Sequence, residues 1–292
     1  MADETGASSR RRPTGIPGLD WILDGGLLPT GVYIVQGPPG AGKTILANQV
    51  CFHHASTGGQ AVYVTLLAES HSQMFAHLRQ MTFFNEDAIP ERIRYVGGYS
   101  TLQSGGLDAL VGLIRGEIQK HRATLVVIDG LVSAQESAPT DREYKIFLHG
   151  LQTLVELTRC TVLLLINAER SSGFFPEHTM VDGVVHLTDE LSDLRPLRHI
   201  RVLKLRGCAP VRGLHSLRIT GDGIVVRPRI ETLLPGPGRS AHLVASVPKL
   251  AFGLPELDGM LRGGLRQGSI TMLLGSSGSG KTLLGMQFLS TG

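Results

Sequence analysis

Two glycine-rich octapeptides carry the chemistry open to this sequence. The first, GPPGAGKT, comprises Gly37, Pro38, Pro39, Gly40, Ala41, Gly42, Lys43 and Thr44. The second, GSSGSGKT, comprises Gly275, Ser276, Ser277, Gly278, Ser279, Gly280, Lys281 and Thr282. Both fit G-x-x-x-x-G-K-[ST], in which glycines let backbone N–H groups close around phosphate oxygens and a helix start adds its positive dipole end. In that setting Lys43 reaches the β- and γ-phosphates of ATP and the Thr44 hydroxyl ligates Mg²⁺, with Lys281 and Thr282 repeating the pair. Asp129 closes the apolar run LVVID. A carboxylate at the carboxyl edge of a parallel sheet can hold the Mg²⁺ shell, usually through water. Glu69 follows another apolar run, where it can polarise an attacking water. The same position suits an acid favoured by a helix dipole, with Ser70 as cap, so both readings stand.

These residues need strands that end, and helices that begin, at the right places. Apolar runs without alternation predict strands buried on both faces at Val32–Gln36, Ala61–Leu67, Thr124–Ile128 and Thr161–Asn167. Arg94–Gly97 reads as a short strand. Helical spacing falls at Lys43–Ser56, Ser70–Met81, Leu107–His121 and Tyr144–Thr158. The alternation predicts an α/β fold, a mainly parallel sheet flanked by helices. Beyond Val181 short strands follow at Gly183–Thr188, His199–Lys204, Leu214–Thr220 and Ile224–Arg227, a C-terminal antiparallel meander.

An internal repeat sets the domain layout. TGIPGLDWILDGGL (Thr14–Leu27) aligns with FGLPELDGMLRGGL (Phe252–Leu265), and each copy runs through a short apolar strand into its glycine-rich loop. The expected organisation is a solvated tail at 1–13 that includes Arg10, Arg11 and Arg12, and an ATPase domain at 14–228. A linker at 229–247 contains Pro235-Gly-Pro-Gly238, and the opening of a second, incomplete domain of the same kind occupies 248–292.

Composition removes several classes. The balance of 28 Lys and Arg against 25 Asp and Glu argues against binding nucleic acid by bulk charge, but leaves room for a local basic patch. Cys51, Cys160 and Cys208 are too dispersed for a zinc or redox pair and suit a reducing cytoplasm. The longest aliphatic run, Val162–Ile166, is far below the ~20 residues of a membrane span, and the N-terminus lacks a signal peptide's apolar core. The 11 histidines form no metal-binding pair.

The ordered set TGIPGLD…LDGGL, GPPGAGKT, VYVTLLAES, LVVID, MVDGVVHL, RVLKLRG and FGLPELD…GSSGSGKT resembles the KaiC-type ATPases of the RecA superfamily over nearly the whole chain. That resemblance implies tandem RecA-like domains, ATP with Mg²⁺, and hexameric rings with ATP at subunit interfaces. One member adds Ser/Thr autokinase activity in its second domain. It also implies that Lys43 and Thr44 are the loop pair and Asp129 the Mg²⁺ carboxylate. Lys204 and Arg206 would reach the neighbouring subunit's γ-phosphate, where an arginine supplied in trans stabilises transition-state charge. The chain departs from the family in three places. Leu67-Ala68-Glu69 is one residue longer than the family's strand end and has Ala68 in place of the first of two catalytic glutamates, which implies slow hydrolysis. Pro210 replaces a family histidine. The second copy lacks its Mg²⁺ carboxylate, glutamates and phosphoacceptor region, so no autokinase activity is assigned.

The leading expectation is a slowly hydrolysing regulatory ATPase that forms homohexameric rings and signals to a protein partner. A RecA/RadA-like DNA-dependent ATPase is the first alternative, disfavoured by the absent four-cysteine motif and by aromatic residues at 5%. A non-hydrolysing, nucleotide-gated scaffold is the second.

Overall fold

The computed structural model describes residues 11–67, 71–167, 177–193, 195–233 and 248–291. The chain divides into two units, Met1–Leu233 and Leu234–Gly292.

The first unit is built on a nine-stranded sheet. Its elements in chain order are α1 (Leu19–Ile22), β1 (Val32–Gly37), α2 (Lys43–Ser56), β2 (Ala61–Thr65), α3 (His71–Leu78), β3 (Ile93–Gly97), α4 (Tyr99–His121), β4 (Leu125–Asp129), α5 (Leu131–Glu136), α6 (Asp141–Thr158), β5 (Thr161–Asn167), α7 (Glu177–Met180), β6 (Gly183–Ser192), β7 (Arg195–Leu205), β8 (His215–Thr220), β9 (Gly223–Arg227) and α8 (Ile230–Leu233). The spatial order is β3-β2-β4-β5-β1-β6-β7-β8-β9. Strands β3 to β6 run parallel, and β7 to β9 continue as an antiparallel extension.

The expected architecture is the observed one. Strands β1, β2 and β4 are buried at every position because helices cover both faces of the parallel part. One core cluster joins the sheet to α1 and α2 through Ile22, Leu46 and Val50. The other joins it to α4 and α6 through Ile114, Leu148 and Leu151. Helix α6 begins three residues before the apolar periodicity does, because the Thr140 side chain accepts the Glu143 N–H at its N-cap. Such a cap contributes about 1 kcal/mol.

Several boundaries depart from the sequence reading. Helix α4 starts at Tyr99 and carries a non-helical Gly106, φ 68° and ψ −163°, just before the predicted start at Leu107. Helix α3 ends at Leu78 because the Met81 N–H turns back to the Leu78 carbonyl. The β6–β7 hairpin reaches Ser192 and Arg195, since backbone pairing continues through a stretch whose polar side chains suggested a loop. Arg11 and Arg12, expected in a solvated tail, are half-buried. Arg12 exchanges backbone hydrogen bonds with Leu27 at 2.7 and 2.8 Å, and its guanidinium donates to the Thr124 carbonyl.

The face of β7–β9 opposite the core is bare. Register places Arg195, Arg201, Arg218 and Arg227 on it, all exposed and without a carboxylate partner among the described residues. Residues 195–229 hold nine Lys or Arg and one Asp, so the rest of the chain is net acidic.

The second unit contains β10 (Lys249–Leu250), α9 (Pro255–Met260), β11 (Leu265–Arg266) and α10 (Lys281–Thr291). Its backbone has φ values close to those of the first unit at several aligned turn positions. Gly15 and Gly253 have φ 70° and 73°, Asp24 and Arg262 57° and 54°, and Gly26 and Gly264 115° and 107°. A Cβ at Gly26 would lie 2.2 Å from the Arg12 carbonyl oxygen, and one at Gly264 would lie 2.1 Å from that of Leu250, so both positions need glycine. The apolar strand expected before the second loop does not form. Among the described residues no strand pairs with 270–274, and Ile270, Met272 and Leu274 are exposed. A buried strand needs neighbours for its backbone groups, as β5 and β6 supply for β1.

Candidate functional site

The carboxyl edges of three adjacent strands, β4, β5 and β1, meet at a cleft of about 270 Å³ lined by Lys43, Thr44, Leu67, Asp129, Gly130 and Asn167, among others. The loop Gly37–Thr44 folds over the end of β1 and opens α2. Gly42 is the N-cap of α2 at φ 100°, and a Cβ there would meet Ile219 Cδ1 at 2.8 Å. No side chain caps this helix start, so its N–H groups are available to a phosphate.

Lys43 and Asp129 are each 8% exposed. The Lys43 ammonium donates to the Gly37 and Pro38 carbonyls at 2.8 and 2.9 Å. The Thr44 hydroxyl donates to Asp129 Oδ2 at 3.1 Å, and the Tyr63 hydroxyl donates to the same oxygen at 2.7 Å. Burial pushes the Lys43 pKa below its usual value, against the pull of Asp129. Burial also raises the Asp129 pKa, opposed by its bonds to Tyr63 and Thr44 and by the charge on Lys43. The cleft thus holds one cation and one carboxylate, both incompletely solvated and ready for stronger partners.

The donor set fits Mg²⁺. With its proton committed to Asp129, the Thr44 oxygen keeps lone pairs for a hard cation, and the side-chain donors to Asp129 gather on Oδ2. Both ligands are oxygens of the kind this ion takes.

Lys204 and Arg206 lie elsewhere. Lys204 pairs with Val184, which is level with Ile34, so its backbone stands about three residues, ~10 Å, short of the Gly37 end of β1. The Lys204 ammonium donates to the His178 and Thr179 carbonyls at 2.8 and 3.1 Å. Arg206 donates to the Thr179 carbonyl and pairs with Asp182 at 3.4 Å. Neither touches the glycine-rich loop of its own chain. Glu69 lies outside the described residues. In the second unit Lys281 repeats the lysine geometry, donating to the Gly275 and Ser276 carbonyls at 2.8 and 2.6 Å. No carboxylate pairs with Lys281 or Thr282 there among the described residues.

Sequence reasoning missed Tyr63, Leu67 and Asn167. Tyr63 sits mid-strand in an apolar run, where a tyrosine reads as core. Leu67 and Asn167 stand at strand ends, and that position was the available signal.

The family model described as "ATPase: KaiC" matches residues 12–231 and 250–292. The chain belongs to the KaiC ATPase family. It is similar to the circadian clock oscillator protein KaiC of Picosynechococcus sp., 31% identical over 299 residues, with 95% of this chain and 54% of that protein covered. The KaiC of Nostoc sp. is 30% identical over 298 residues, with 96% and 54% covered. The chain therefore spans about half the length of the curated relatives it matches. A crystal structure of a KaiC-like protein from Pyrococcus horikoshii OT3 superposes with a TM-score of 0.67 at 24% identity, covering 75% of this chain and all of that one, which shows a common fold. KaiC family membership implies nucleotide binding and ATPase chemistry. Among the described residues no helix is long and apolar enough to cross a membrane.

Proposed function

We propose that this KaiC-family chain is a Mg²⁺-dependent, slowly hydrolysing ATPase that works as a ring and signals through nucleotide-driven conformation. The observation that carries the reading is the convergence of Lys43, Thr44 and Asp129 in one cleft. In this reading the loop N–H groups and Lys43 hold the phosphates, and Thr44 and Asp129 hold the ion. Bound Mg²⁺ supplies neutralisation of charge on the phosphate oxygens. Glu69, carried on the chain that leaves β2, is assigned to orient the attacking water. Lys204 and Arg206 serve a neighbouring copy, because both bond the Thr179 carbonyl, away from the cleft of their own chain.

The bare arginine face of β7–β9 supports assembly. It lies on the strand that carries Lys204, and the rest of the chain is net acidic, so a second copy offers complementary charge. The similar φ values at aligned positions of the two units support a duplication within the chain.

Steady-state phosphate release with and without Mg²⁺ tests the reading. Slow release that depends on Mg²⁺ and disappears in Lys43→Ala is expected. ATP bound equally well by wild type and Lys43→Ala in calorimetry overturns it. The bare arginine face also favours a second reading, a DNA-dependent ATPase. Filter binding separates the two, since DNA retention that falls steeply with salt supports only the second.

A further inference from the structure

We infer that Tyr63 is a positioning residue for Mg²⁺-nucleotide binding, acting through Asp129. The inference rests on the ATPase reading above and adds a residue to it.

Tyr63 is fully buried, yet its hydroxyl donates to Asp129 Oδ2 at 2.7 Å. Register explains the reach. Tyr63 pairs with Val127 and Thr65 with Asp129, so Tyr63 lies two residues behind the carboxylate on the same sheet face and points its ring along that face. Tyr95 is opposite Tyr63 on β3, with ring centroids 5.3 Å apart. Its hydroxyl takes a different route, donating to Asn48 Oδ1 at 2.7 Å, while the Asn48 amide donates to the Thr44 carbonyl at 2.8 Å. Two neighbouring phenols thus hold the two sides of the ion's cradle. One fixes the carboxylate, and the other steadies the first turn of α2.

The consequence concerns one oxygen of Asp129. Oδ2 accepts from both Tyr63 and Thr44, which fixes the carboxylate plane and leaves Oδ1 for the ion or its water shell. Without the Tyr63 hydroxyl Oδ2 keeps Thr44 as its side-chain donor, and the carboxylate turns more freely about its terminal bond. Ordering it again must then be driven by the ion. Loss of such an outer partner typically weakens metal affinity 10–100-fold.

The test is Tyr63→Phe, which removes one oxygen from a core position and leaves no polar atom of its own unpaired. Calorimetry in Mg²⁺ and in chelator gives the factor by which the ion strengthens ATP binding. The hydroxyl's loss is expected to reduce that factor about 10-fold and leave the chelator affinity within about two-fold of wild type. Tyr33→Phe, which removes a similarly buried hydroxyl that bonds Leu28 instead of the site, is expected to leave the Mg²⁺ factor unchanged. Should Tyr63→Phe fold poorly, p-aminophenylalanine at position 63 keeps a donor on the same ring and is expected to restore the wild-type factor, whereas 4-fluorophenylalanine is not.

An unchanged Mg²⁺ factor in Tyr63→Phe, or equal losses in Mg²⁺ and in chelator, overturns the inference while the ATPase reading stands. A wild-type protein whose ATP affinity ignores Mg²⁺ overturns both.

Discussion

Replacing Lys43 by methionine should separate the two glycine-rich loops. Both lysines fold back onto loop carbonyls, Lys43 at 2.8 and 2.9 Å and Lys281 at 2.8 and 2.6 Å. Of the two, only Lys43 stands in a cleft with a carboxylate among the described residues. Phosphate binding moves the ammonium from neutral carbonyls to an anion, and each hydrogen bond to a charged group contributes about 1.5–3 kcal/mol. Losing the lysine should therefore cost roughly 3 kcal/mol of ATP affinity, about 100-fold. At a nucleotide concentration near 100 Kd the wild type gains about 2.7 kcal/mol of stability, whereas a site 100-fold weaker gains about 0.4 kcal/mol. For a unit of this size those values correspond to melting shifts of about 5–10 °C and about 1 °C. The apo protein should melt close to wild type, because methionine keeps the aliphatic stem and removes a charge that burial disfavours. Thermal melting with and without Mg²⁺-ATP reads all of this, with Lys281→Met as the comparison expected to keep most of the shift. A full shift in Lys43→Met, or its loss in Lys281→Met alone, refutes the assignment of the first loop as the principal site.

Three further outcomes are expected. Lys204→Ala with Arg206→Ala should lower nucleotide-dependent assembly and phosphate release but leave the ATP affinity of the unassembled chain unchanged; light scattering checks whether particles near six times the 31.4 kDa chain mass are lost. Glu69→Gln should cut phosphate release, by up to the ~10²–10⁴-fold of a general base, with ATP affinity intact; unchanged release would assign Glu69 to the helix start instead. His54 is buried against Thr124 Oγ1 at 2.8 Å, and its pKa is lowered to about 4 by burial, Arg12 and His53. The folded state therefore binds fewer protons there than the unfolded chain between about pH 4 and 6.5. Its contribution is complete above pH 6.5 and is lost as pH falls towards 4, by up to about 3 kcal/mol. His54→Gln should flatten the urea-stability profile in that window, and an unchanged slope would sink the assignment.

Local pattern alone determined much of this protein. The glycine-rich loops, the lysine and threonine that open α2, and Asp129 at a strand end are short-range signals, because nucleotide chemistry needs them at fixed spacing along one strand–loop–helix turn. The parallel core was equally legible, since strands buried on both faces show unbroken apolar runs such as Thr161–Asn167. Contacts between distant segments were settled only by the tertiary structure. Thr44 and Tyr63 meet one oxygen of Asp129 from 85 and 66 residues away, and no periodicity marks a mid-strand tyrosine as the one whose hydroxyl finds a carboxylate. The length of the β6–β7 hairpin was hidden because backbone pairing ignores the polarity of exposed side chains. The unpaired 270–274 segment shows the converse. Its residues have the strand pattern, but a strand is a relation between segments, and among the described residues none lies beside it to accept its backbone.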